Sequence, residues 1–294
     1  MTAPRHARHR QTDMRAAHLF MQANLGRFWL VAVYLFLYAP LAFLVIFSFN
    51  STRQDGIFTG FSLRWYSALW ADSRLVDGFL LSVKVALVTA SLSAVLGAMA
   101  AFVLVRYERF RGRPLFIGLV NAPLIMPEVI IGLSLLLLMV AVQRAVGWPD
   151  RGMGTIVIGH TLLGMAYAAV VIQSRLREVD RSIEEAAMDL GCRPLQVFFL
   201  VTLPSIAPAM VAAWLLTFTL SFDDVVISEF LSGPGVTTLP QVIFSYARRG
   251  INPSISAAAT LLIAVVSLGI IAYSVYEARR HRQRQRDLRA ASLH

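Results

Sequence analysis

Long uncharged apolar runs, repeated along the chain, constrain the fold before any motif is read. They fall at about 28–49, 79–105, 115–140, 155–173, 206–230 and 255–276. At ~1.5 Å per residue, about 20 residues cross a hydrocarbon core as a helix. With 57% hydrophobic residues, the chain exceeds what a soluble globule normally carries. The expected fold is all-α: a polytopic membrane protein with six transmembrane helices. The first run is too long for a signal-peptide core and lacks a small-residue cleavage pattern, so it is read as an uncleaved span.

The net charge of +10 would suggest nucleic acid if taken alone. The distribution of arginine argues otherwise. Nineteen cations lie in the N-terminal arm, the second and fourth connections and the tail; seven lie in the alternate connections. Lys84 is the remaining one. This asymmetry predicts both termini on the cytoplasmic side, and an even number of spans. Three regions follow: a basic arm at 1–27, a membrane domain at 28–276 and a basic tail at 277–294. The arms are expected to be solvated or to lie on anionic headgroups. Cys192 has no partner for an intramolecular disulfide and reads as a small packing residue.

Two connections carry structure of their own. In the long one after span five, Ser232-Gly233-Pro234-Gly235 marks a turn, and Leu239, Val242, Ile243 and Tyr246 recur at helical spacing. A short amphipathic helix is predicted there, either shielding the bundle or forming a docking surface or outer gate. Between spans four and five, at about 178–204, Ser182-Ile183-Glu184-Glu185 reads as a capping box with Ser182 as cap. Gly191 permits a reversal, and Pro194 starts a second helix. The result is a helix–turn–helix on the cytoplasmic face. It either covers the bundle or offers a grip to a soluble partner.

The stretch Glu185-Ala186-Ala187-Met188-Asp189-Leu190-Gly191, running on to Val201-Thr202-Leu203-Pro204, resembles the EAA signature of binding-protein-dependent ABC importer permeases of the type I, methionine and maltose permease-like fold. Val201 stands where Ile is common in that signature. The resemblance extends over nearly the whole chain, and it is strongest to permeases of polyamine importers, those for putrescine in particular. Tyr38-Ala39-Pro40, Phe47-Ser48-Phe49-Asn50, Ala122 to Glu128, Ser221-Phe222-Asp223-Asp224 and Ser232 to Gly235 carry it. The resemblance implies a permease core at about 75–276. It implies a coupling hairpin in which Glu184, Glu185, Ala186, Ala187, Asp189 and Gly191 engage an ATPase. It also implies a second, different permease, two ATP-binding subunits and a periplasmic or extracellular binding protein, all at a bacterial inner membrane. ATP and Mg²⁺ would be bound by the ATPase. No catalytic residue, cofactor or metal is expected in this chain. A phosphate-binding loop needs a lysine after its glycines, and Lys84 has no such surroundings.

Ionisable groups within spans are functional candidates. Lys84 either snorkels to the interface or serves the pathway. On a continuous helix, Thr217, Ser221, Asp224 and Ser228 share one face, with Trp214, Phe218 and Phe222 as an adjoining aromatic stripe. Carboxylate beside aromatic suits an alkylammonium. Asp223 would point to nearly the opposite side, making Asp224 the better pathway candidate, or else a structural hydrogen-bonding group. Glu128 follows Pro127, with Asn121 one heptad earlier, and Pro123 and Pro127 are expected to break or kink span three. Glu128 is either a second pathway carboxylate or a helix-end group. Other readings are an importer of spermidine or another small solute, a secondary transporter or channel, or an intramembrane enzyme. The hairpin has no explanation in a secondary transporter, and no persuasive nucleophile–base pair supports an enzyme.

Overall fold

The computed structural model describes residues 5–52, 57–107, 109–248, 254–264 and six further positions between 267 and 279, with side chains from Leu25 onward. Among these residues it is helical, with one isolated antiparallel bridge, Asn50 to Phe61. The polytopic membrane class stands. Five described helices are long and apolar enough to span a bilayer: Leu25–Phe47, Ser73–Arg106, Glu128–Val146, Met153–Glu178 and Pro194–Phe222. The expected sixth span is described as a helix over Ser254–Ala264, and most of its remainder lies outside the described residues.

The chain divides into two units, one of residues 1–71 with 251–294 and one of residues 72–250. In the first, α1 (Arg5–Phe47) runs unbroken through the expected N-terminal arm into the first span. Asn50 is buried beyond its end and organises the following loop. Its amide donates to the Ile57 carbonyl at 2.8 Å, its Oδ1 accepts the Thr59 N–H at 2.9 Å, and its own carbonyl accepts the Trp65 indole N–H at 2.7 Å. Trp65 lies on α2 (Arg64–Ala71).

The second unit is built on α3 (Ser73–Arg106), α6 (Met153–Glu178) and α9 (Leu203–Phe222). Hydrophobic exclusion does not drive helices together in lipid, so close backbone approach must supply the attraction. The sequence provides it with a seam of small residues: Ala94, Ala98 and Ala101 on α3, Ala166, Ala168 and Ala169 on α6, and Ala213 on α9, all buried. A Cβ added at Gly97 would stand 2.6 Å from that of Ala168, and one at Gly164 would meet the Ser93 hydroxyl. Larger side chains such as Leu92, Val95 and Met99 project from α3 into the surroundings, as lipid contact requires.

Two expected spans are discontinuous. Span three separates into α4 (Arg113–Ile125) and α5 (Glu128–Val146), with Met126 and Pro127 extended between them. Pro127 thus makes the break, whereas Pro123 is accommodated inside α4. Asn121 bonds back to the Ile117 carbonyl within α4 and is not continued to Glu128 by a common helix. Span five ends at Phe222, and a short helix α10 (Val226–Leu231) follows. The predicted amphipathic helix is α11 (Leu239–Arg248). It packs on the first turns of α3: its Leu239 N–H donates to the Ser82 hydroxyl at 2.9 Å, and Tyr246 donates to Asp72 at 2.8 Å.

Candidate functional site

Between α6 and α9 lie α7 (Arg181–Asp189) and α8 (Pro194–Val197). Asp180, not Ser182, caps α7, accepting the Ser182 N–H at 2.9 Å. Both residue types cap well; Arg181 is held in the first turn because its guanidinium reaches the Arg106 carbonyl at 2.9 Å. The Ser182 N–H keeps the Asp180 carboxyl below its ordinary range, so the cap stays charged at neutral pH. At the far end, the Gly191 N–H bonds to the Met188 carbonyl and the Cys192 N–H to that of Ala187. This is the Schellman arrangement, which needs a left-handed residue after the helix, and Gly191 has φ +90°.

The Val-x-Leu-Pro ending acquires a physical reason. Pro204 has no N–H and crowds the carbonyl four residues back. The chain widens ahead of it into a π-helical turn, Phe198–Thr202, closed by Leu203 N–H reaching back to Phe198. Such turns recur at functional positions.

The two adjacent glutamates of α7 separate. Glu185 is exposed with Asp189 and Gly191, among large exposed apolar side chains: Leu190 at 88%, Leu195 at 73% and Leu200 at 69%. An exposed apolar surface edged by carboxylates is suited to protein contact. Glu184 turns inward. Its Oε1 accepts from Arg106 Nη2 at 2.9 Å, from Arg106 Nε at 3.3 Å and from the Thr202 hydroxyl at 2.7 Å. Ala186 is exposed and Ala187 half-buried.

A second site lies where span five breaks. A cavity of about 280 Å³ is lined by Glu128, His160, Gly164, Thr217, Ser221, Asp223 and Asp224, with apolar neighbours. His160, on α6, is buried and was not among the candidates read from sequence. Its Nδ1 lies 2.7 Å from the Ser221 hydroxyl; its Nε2 lies 3.0 Å from Asp224 and 3.1 Å from the Ser228 hydroxyl. Asp224 also accepts the backbone N–H groups of Ile227 and Ser228, at 3.3 and 2.8 Å, and so caps α10. With that carboxylate ionised, Nε2 carries the shared proton, and in the neutral ring Nδ1 accepts from Ser221.

Thr217, Ser221, Asp224 and Ser228 therefore converge as the helical wheel predicts, although no continuous helix joins them. The same break removes the basis for placing Asp223 opposite Asp224. Both line the one cavity, and Asp224 is the engaged member. Asp223 and Glu128 are exposed, and neither side chain makes an ion pair with another described residue. The aromatic stripe is real but sits elsewhere. Trp214 and Phe218 stack at 5.4 Å, Phe218 and Phe222 at 6.0 Å. Trp214 donates to Ser91, and Phe222 meets Phe79 edge-on, so the ladder packs along α3 and is absent from the cavity wall. Lys84 is exposed on α3.

Residues 93–285 match the family described as binding-protein-dependent transport system inner membrane component. The chain is 54% identical over 258 residues to the putrescine transport system permease protein PotI of Escherichia coli strain K12, covering 87% of this chain and 92% of that one. It is 36% identical to the spermidine/putrescine transport system permease protein PotC of Haemophilus influenzae, covering 84% of this chain and 93% of that one. Among solved structures, a bacterial ABC transporter that imports alginate superposes with TM-score 0.68 over 92% of this chain and 98% of that one, at 15% identity. The MetNI methionine transporter superposes with TM-score 0.55 over 71% of this chain and 94% of that one, at 20% identity. These two likenesses bear on the fold. A bundle with broken spans, a capped polar hairpin and a match across most of its length make this chain a member of the family of binding-protein-dependent transport system inner membrane components.

Proposed function

We propose that the chain is a permease subunit of an ATP-driven polyamine importer, with putrescine as the cargo. Its partners are a second, different permease, two ATPase subunits that bind ATP and Mg²⁺, and an external binding protein. Both termini and the hairpin face the cytoplasm of a bacterial inner membrane, in keeping with the arginine distribution. The exposed face of the hairpin, with Glu185, Ala186, Asp189 and Gly191, docks on an ATPase subunit. Closure of the ATPases on ATP rocks the spans, opens the cavity outward to the docked binding protein, and hydrolysis resets it.

One observation carries the choice of cargo: 54% identity, over 87% of the chain, to a protein named as a putrescine permease. The acidic cavity supplies matching chemistry. A linear diamine brings two ammonium groups, and Glu128 and Asp223 are two carboxylates with no ion-pair partner among the described residues. Asp224 and Ser221 hold the cavity wall through His160. The contacts need to be weak and transient, since a tightly held cargo would stall release.

The test is reconstitution of the whole transporter in proteoliposomes with labelled putrescine. ATP-dependent uptake that stops when the ATPase is omitted supports the reading. Uptake driven by an ion gradient without the ATPase would overturn it in favour of a secondary transporter. Stronger competition by spermidine than by unlabelled putrescine would move the cargo to the larger polyamine.

A further inference from the structure

The hairpin is tied to the bundle by a buried charge where apolar packing would have sufficed. Arg106 is the last residue of α3 and Glu184 lies in the first turn of α7; their side chains are 9% and 12% exposed. Replacing such a pair by apolar residues is often neutral or stabilising, so stability alone does not explain it. What a short charge-assisted bond adds is direction: it resists both approach and separation over a narrow range of distance. Here both ends of the bond are further restrained. The Arg106 guanidinium also reaches the Val179 carbonyl at 3.4 Å, and the Arg106 carbonyl is held by Arg181. On the other side, Thr202 donates to the same Glu184 oxygen that Arg106 holds. Thr202 is the last residue of the π-helical turn, directly before α9. One carboxylate oxygen therefore joins α7 to the ends of two helices of the bundle seam.

We propose that Arg106, Glu184 and Thr202 form the internal joint that passes displacement of the hairpin into α3 and α9. The proposal rests on the import reading above. In it Glu184 is a positioning residue: it does not touch the ATPase, and the neighbouring Glu185 does. A push on the exposed face of α7 reaches α3 through the guanidinium and α9 through the Thr202 hydroxyl. The π-helical turn is the compliant piece between α8 and α9. A joint held by three polar groups in fixed geometry is a contiguous route for coupling, whereas a loosely packed hairpin would absorb the movement.

The experiment compares the wild-type chain with Glu184→Gln and Thr202→Val, each in the complete transporter in proteoliposomes. It reads labelled putrescine moved per ATP hydrolysed, together with amide hydrogen exchange across residues 181–203. For Glu184→Gln the ratio should fall roughly fivefold or more, the scale of a typical coupling free energy. Thr202→Val should shift it in the same direction by less, and exchange in α7 should quicken in both. A purely structural role would lower the amount of assembled complex without changing the ratio. A wild-type ratio in Thr202→Val, and in any Glu184→Gln complex that assembles, overturns the joint. Absence of ATP-dependent uptake by the wild-type complex instead overturns the import reading, and the joint with it.

Discussion

Two places in this chain set acidic residues side by side, Glu184-Glu185 on the hairpin and Asp223-Asp224 at the break in span five, and the structure treats both pairs alike. One member is drawn in and fully engaged: Glu184 by Arg106 and Thr202, Asp224 by His160 and two backbone N–H groups. The other member is exposed: Glu185 beside the apolar face of the hairpin, Asp223 at the cavity. On α7 neighbours differ by about 100° in direction, so the inward contact of Glu184 leaves Glu185 facing out. At the break after Phe222 the backbone is not helical, and the separation of Asp223 from Asp224 follows from the contacts that hold Asp224. The lesson is a division of labour within a dipeptide. The anchored acid fixes the local backbone, and that fixed backbone aims the free one.

The comparison can be broken by removing each acid in turn. The largest effect is expected from Glu184→Ala. It leaves Arg106 buried without its partner and should lower unfolding stability by about 3 kcal/mol, measured by thermal denaturation of the purified protein. Asp224→Ala removes the cap of α10 and the partner of His160, with an expected loss of about 2 kcal/mol in the same assay. Asp223→Asn should leave the melting curve unchanged and raise the putrescine concentration for half-maximal uptake about fivefold, equivalent to ~1 kcal/mol. Glu185→Gln should likewise melt as wild type, and slow ATP-driven uptake roughly threefold as a rim charge does when removed. If Glu185→Gln or Asp223→Asn destabilised the fold as much as its neighbour's substitution, the division would fail for that pair.

The hairpin was largely legible in the sequence because its determinants are local. A left-handed glycine ends α7 and a proline starts α8, within a few residues of each other; the π-helical turn ahead of Pro204 was not foreseen. The cap position was displaced by two residues because Arg181 answers to a carbonyl on α3, which no local pattern shows. The cavity was only half legible. Its acids stood out as charges in an apolar run, but His160 did not, since its partners lie 61 to 68 residues further along the chain. A lone histidine in the middle of a span was the available signal. The break after Phe222 carries neither glycine nor proline. Aspartate and β-branched valine weaken the helix there, and Asp224, held by His160, caps the next one. Reading a continuous helix across that point brought the right residues together and misdirected Asp223. The aromatic stripe followed the helical period as expected, yet α3, not the cavity, is what it faces.

The small-residue seam of α3, α6 and α9 bears on how fast such a bundle can move. Where large side chains interlock, one helix shifts past another only by lifting each side chain out of its slot and switching its rotamer. Alanine and glycine have no rotamers to switch. At Gly97 the backbone of α3 approaches that of α6 across little more than the Ala168 methyl group, and at Gly164 the backbone of α6 meets the short Ser93 side chain. A smooth contact of this kind presents a low barrier to sliding while keeping the helices close. The same smoothness makes it brittle towards mutation, because every added carbon becomes an obstacle in the track.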